Sequence, residues 1–81
     1  MSGIFLKNVF DRITALMSKA IVYNFSADQN QRDISDRIGT LNDQIIKYDS
    51  DLSWGNIEKS ESTEADFLKE FEEIEAIIVT F

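Results

Sequence analysis

A chain of 81 residues forms one small domain, and its lack of cysteine and histidine excludes disulfides, thiolate metal sites and the usual zinc ligands. The formal charge of −7 argues against direct binding of nucleic acid, because such binding needs Lys and Arg to displace counterions. The charge is uneven: residues 1–25 carry three basic and one acidic side chain, whereas residues 26–81 carry five basic and fourteen acidic side chains.

The first predicted element is an amphipathic helix over about residues 4–24. Apolar residues recur at intervals of three and four, which places them on one side of a helix. The last part of this helix, residues 20–25, is apolar almost all round, so we expect it to be well covered. The apolar positions are Leu6, Val9, Ile13, Leu16, Ala20 and Tyr23, with Phe10 and Met17 beside them.

A polar stretch after this helix predicts a turn near residues 24–28. Ser26 followed by Gln29, and Asp28 followed by Gln31, both have the spacing of a capping box, in which two side chains satisfy free backbone amides at a helix start. The phase of the apolar pattern also changes here. Because no Gly or Pro enforces a break, one continuous helix with a phase shift is the alternative.

The second helix, over about residues 28–53, carries the clearest pattern in the chain. Its apolar residues follow alternating steps of four and three, which defines a narrow stripe of the kind that helices use to pack against helices. Such a stripe needs a partner helix, from the same chain or from another copy. The members of this apolar ladder are Ile34, Ile38, Leu41, Ile45, Tyr48 and Leu52.

A loop and a third helix, over about residues 63–80, complete the chain. Gly55 lies where helices commonly end in a left-handed turn, and Trp54 and Ile57 are expected to cover the end of the bundle. Ser60, Ser62 and Thr63 are candidate N-caps. The pattern then continues through Phe67, Phe71, Ile74, Ile78 and Phe81.

These elements predict an all-α fold with a three-helix arrangement over residues 1–81. An amphipathic N-terminal helix precedes a long antiparallel helical hairpin, and the packing is expected to be coiled-coil-like. Strand-like alternation is nearly absent from the sequence.

The first functional hypothesis is a non-enzymatic protein–protein interaction module, either a self-associating helical subunit or an adaptor. Small domains without disulfides are often stabilised by association, so we expect a homo-oligomer packed along the apolar ladder. No catalytic residue, cofactor or metal is expected, because there is no His or Cys and the carboxylates lie on polar faces. The lack of cysteine also fits a cytoplasmic location.

An acidic ridge along the third helix gives a second hypothesis, an inhibitor that docks on a basic, nucleic-acid-binding site of a larger protein. Like charges four residues apart disfavour a helix, so this ridge is not optimised for stability alone. In composition the chain resembles small acidic inhibitors encoded by phages and mobile elements. A merely solvated face is the alternative. The acidic residues are Asp66, Glu70, Glu72, Glu73 and Glu75.

The amphipathic, lightly basic N-terminal helix gives a third hypothesis, binding at a membrane surface. The acidic remainder of the chain argues against it, and the alternative is that the apolar side of this helix belongs to the core. Membrane contact is therefore not expected. No transmembrane helix is expected either, because the apolar runs are short and broken by charge.

Residues 49–61 resemble an EF-hand calcium loop in the order of their residue types. Alternating oxygen ligands precede a Gly, and a Glu ends the segment. Trp54, however, displaces the Gly by one position, and an ordinary polar loop explains the segment as well. The only calcium candidates are Asp49, Asp51, Ser53 and Glu61.

Overall fold

The computed structural model describes residues 3–81, with side chains from Lys7 onward. Three α-helices, α1 (Gly3–Asn24), α2 (Gln29–Ser53) and α3 (Glu61–Ile78), form the predicted all-α arrangement, and the described part of the chain contains no strand. The molecule is elongated, with extents of 42 × 19 × 17 Å. Leu6, which the sequence assigns to the apolar side of α1, lies outside the described side chains.

Helix α2 is the central element, because α1 and α3 each pack against it. The Ser35 hydroxyl of α2 donates to the Ala20 carbonyl oxygen of α1 at 2.9 Å, so the end of α1 lies beside the beginning of α2. The Tyr48 hydroxyl donates to Glu64, which places the end of α2 beside the beginning of α3. Both neighbours therefore run antiparallel to α2.

The apolar ladder finds its partners within the chain. Five of its members are buried, with Ile38 and Ile45 completely inaccessible, and Leu52 is half-buried against the same core. Helix α1 and helix α3 supply the other buried apolar side chains, at the spacing that the sequence predicts. These are Val9, Ile13, Leu16 and Ala20 from α1, and Phe67, Phe71 and Ile74 from α3.

The turn between α1 and α2 separates the two helices. Asp28 is the N-cap of α2, and its carboxylate accepts from the Asn30 amide at 2.8 Å. The Ser26 hydroxyl accepts from the Asp28 amide, and Arg32 donates to the Ser26 carbonyl oxygen at 2.7 Å. The Gln29 side chain donates to Asp33 rather than closing a capping box with Ser26. The continuous-helix alternative is therefore wrong.

The α2–α3 loop begins with a left-handed glycine. Gly55 has a φ of +72°, the Gly55 amide donates to the Leu52 carbonyl oxygen, and the Asn56 amide donates to that of Asp51. These two bonds form a Schellman motif, which terminates α2. Ser60 then caps α3 by accepting from the Thr63 amide, so α3 begins at Glu61, two residues before the predicted start.

The expectation that Trp54 covers the end of the bundle is wrong. The Trp54 side chain is 80% exposed, and Ile57 is also exposed. As the C-cap of α2, Trp54 takes a helical conformation just before the reversal at Gly55. Its side chain therefore stays on the outside of the last helical turn.

Replacing Ile38 by Ala is expected to lower the free energy of unfolding by about 2–5 kcal/mol, because Ile38 is completely buried and its truncation leaves a cavity. Urea denaturation followed by circular dichroism measures this. The matched control is Ile46→Ala on the exposed side of the same helix, with an expected effect within about 0.5 kcal/mol. Equal effects at the two positions would contradict the packing described above.

Candidate interaction surface

The acidic ridge of α3 is in part an internal contact surface. Arg37 of α2 forms two hydrogen bonds to Glu70, at 2.7 and 3.1 Å, and a third to Glu73 at 3.1 Å. The bonds to Glu70 raise the pKa of the Arg37 guanidinium, although burial opposes the shift. One arginine thus binds α3 to α2 and offsets the like-charge repulsion between the two glutamates.

A second arginine connects α1 to α3. Arg12 donates to Glu75 at 2.6 Å, and its guanidinium lies over the Phe71 ring, 4.6 Å from the ring centroid. Such a stack combines an ion pair with a cation–π contact. Three of the five predicted ridge carboxylates therefore bind arginines of their own chain. Asp66 and Glu72 are exposed and form no ion pair within the described residues.

A buried polar network joins the end of α2 to the start of α3. The Tyr48 hydroxyl donates to Glu64 at 2.7 Å and accepts from the Ser60 amide at 3.0 Å, while Lys59 pairs with Glu64 at 3.2 Å. Burial, followed by the interaction with Glu64, raises the pKa of Tyr48, and the bond from Ser60 opposes this shift. Among the described side chains no buried polar atom lacks a partner. The network accordingly stabilises the loop.

The structure does not bring the four calcium candidates together. Asp49, Asp51 and Ser53 lie in the last turns of α2, and Glu61 lies in the first turn of α3. Asp51 pairs with Lys47 at 3.1 Å. Within residues 3–81 there is no group of three or more acidic side chains arranged to hold a metal ion. Helix α2 extends to Ser53, so residues 49–53, which an EF-hand would need as the first part of its loop, are helical.

Two open grooves flank α3. The groove between α2 and α3 has a volume of about 590 Å³, and Tyr48 and Phe67 line it together with charged side chains. The groove between α1 and α3 has a volume of about 430 Å³, and its apolar lining includes Ala15, Leu16 and Val79. This second groove leads to the end of the bundle at which α1 and α3 both terminate.

Large apolar side chains remain exposed at that end. Phe25 and Val79 are 83% and 84% exposed, and the ring of Tyr23 meets that of Phe81 edge-on with centroids 5.3 Å apart. The ring contact shows that the C-terminal ends of α1 and α3 lie together. We call the exposed side chains at this place the apolar end; they are Ile21, Val22, Phe25, Val79 and Phe81.

The expectation that residues 20–25 are well covered is therefore wrong. Ala20 is buried, but Ile21 and Val22 point away from α2 and α3 and are about two-thirds exposed. The sequence shows that this segment is apolar almost all round. It does not show that two neighbouring helices cover only one side of it.

None of the described helices combines the length and apolar character needed to cross a membrane. The described apolar side of α1, from Val9 to Ala20, faces the core. The side chain of Phe5, in the part of α1 considered for membrane contact, lies outside the described side chains.

No protein-family model, curated protein or solved structure matches the chain.

Replacing Arg37 by Gln is expected to destabilise the fold by about 0.5–1 kcal/mol at low salt and by less near 1 M NaCl, because the ion pairs are partly exposed and screened by salt. Urea denaturation at both salt concentrations measures the change. Lys47→Gln is the matched control, since Lys47 is largely exposed and its pair with Asp51 lies within one helix. A larger effect at Lys47 than at Arg37 would refute the assigned role of Arg37.

Replacing Tyr48 by Phe is expected to lower stability by about 1–3 kcal/mol, because a buried carboxylate and a backbone amide each lose a partner while the ring remains. The raised pKa of Tyr48 adds a pH dependence. A tyrosine whose pKa is higher in the folded state stabilises the protein fully below about pH 10, its unfolded value, and this contribution is lost as the pH rises through the folded value.

The stability difference between the native chain and Tyr48→Phe should therefore shrink above about pH 10. Urea denaturation of both proteins at a series of pH values measures this difference. A difference that widened at alkaline pH would contradict the assigned network.

Proposed function

We propose that this chain is a non-enzymatic protein–protein interaction module that binds through its apolar end. The observation that carries the proposal is the exposure of Ile21, Val22, Phe25, Val79 and Phe81 at one end of the bundle. Soluble monomeric domains rarely expose large contiguous apolar patches, and such patches commonly mark interaction sites.

The packing of the core supports this choice of surface. The apolar ladder is occupied by α1 and α3, so an interaction along it would require the bundle to open. The apolar end needs no rearrangement, because its side chains are already accessible. Aromatic side chains such as Phe25 and Phe81 are also enriched in the buried centres of protein–protein interfaces.

The acidic-inhibitor hypothesis draws less support from the same contacts. A basic partner would have to compete with Arg37 for Glu70 and Glu73, and with Arg12 for Glu75. Only Asp66 and Glu72 of the ridge are exposed without such a pair in the described part of the chain. The membrane-surface hypothesis also draws less support, since Val9, Ile13 and Leu16 pack into the core.

Site-specific photo-crosslinking in the cells that make this protein tests the proposal. A benzophenone amino acid placed at Phe25 or at Val79 should give a crosslinked product of the same mass, because both positions belong to the apolar end. The same probe at Thr40, an exposed position in the middle of α2, should give no such product. The proposal would be overturned if neither Phe25 nor Val79 gave a discrete crosslinked protein product. It would also be overturned if all three positions gave equal products.

A further inference from the structure

We propose that the partner of the apolar end is the apolar end of a second copy of this chain, so that two molecules join end to end about a two-fold axis. The inference rests on the proposed function and names the partner. A two-fold interface uses the same patch on both subunits, and the patch must therefore match itself.

The two segments that form the apolar end can contact their own copies because neither contains a charged side chain; the charges nearby, Asp28 and Arg32, belong to the adjoining turn and the start of α2. Residues 20–27 and residues 76–81 contain no charged side chain, in a chain of which 28% is charged. The contact between Tyr23 and Phe81 brings these two neutral segments together. A surface that binds the apolar end must itself be apolar and without charged side chains. The apolar end of a second copy meets this requirement.

The opposite end of the bundle does not have this property. Trp54 and Ile57 are exposed there, but they lie beside Glu58, Lys59 and Glu61 in the sequence. An apolar contact at that end would require charged side chains to lose water. The neutral end is therefore the favoured contact surface.

Charge and shape together favour the end-to-end arrangement over a side-by-side one. Each molecule carries −7 and is 42 Å long but only 17–19 Å wide. End-to-end contact places the centres of the two acidic molecules roughly one molecular length apart, which is several Debye lengths of about 8 Å at physiological salt. Side-by-side contact would bring the acidic faces within a molecular width.

The area available predicts a weak dimer. A whole aromatic side chain has a surface of about 150–250 Å², and Ile and Val have less. The five side chains of the apolar end are exposed by 42% to 84%, so together they present on the order of 500 Å² of accessible surface per molecule. The total, about 1,000 Å², lies at the lower limit of specific interfaces. We therefore expect a reversible, concentration-dependent equilibrium.

Sedimentation equilibrium of the purified full chain, with the variants Phe25→Ser and Val79→Ser, tests the inference. The native chain should show a monomer–dimer equilibrium, and each substitution should raise the dissociation constant about tenfold or more. Both side chains are more than four-fifths exposed, so the variants should keep the native circular dichroism spectrum. Trp54→Ser is the matched control at the opposite end and should leave the dissociation constant unchanged.

Small-angle X-ray scattering adds a readout of geometry. The dimer should have a maximum dimension of roughly twice the 42 Å length of one molecule, and its dissociation constant should change little with salt. Any of three results would overturn the inference. The native chain could stay monomeric at millimolar concentration, the Trp54→Ser variant could lose the dimer, or the dimer could be compact and tighten strongly with salt. A monomeric chain that still gives the Phe25 crosslink to another protein overturns the second copy as partner but leaves the interaction module standing.

Discussion

The whole structure depends on one narrow apolar stripe that serves two helices. Ile38 and Ile45 are completely buried on this stripe of α2, and α1 and α3 both pack against the helix that carries it. A helix buries only one side against such a neighbour. Helices α1 and α3 both pack against α2, and they contact each other mainly through side chains such as Arg12 and Phe71. Each of them therefore keeps an outer side that nothing in the described chain covers. The groove between them and the apolar end both follow from this arrangement.

Ion pairs add to the apolar packing of α3 against its neighbours. Two arginines bind three glutamates of α3, which converts part of an acidic helix into a contact surface. The remaining excess of carboxylates leaves the molecule with a charge of −7. In the end-to-end dimer that we propose, the segments without charged side chains make the contact, whereas lateral contact would bring the two acidic bodies together.

The sequence predicted the fold well because the fold depends on local periodicity. Alternating steps of four and three marked the ladder, and the structure buries it. Gly55 predicted the left-handed end of α2, and Ser60 proved to be the cap of α3. Both effects act within one or two helical turns, so neighbouring residues are sufficient to reveal them. The start of α3 was less well predicted, because three candidate caps lie within residues 60–63.

The sequence by itself determined that the chain is helical, that α2 carries the packing stripe and that residues 20–25 are apolar on almost all sides. Tertiary structure alone decided which apolar side chains are covered, since Phe67 is buried whereas Phe25 is 83% exposed, although both are phenylalanines. It also decided that Glu70, Glu73 and Glu75 face arginines rather than a partner protein. The physical reason is that periodicity gives the direction of a side chain from its own helix axis, whereas exposure and ion pairing depend on where the neighbouring helices lie.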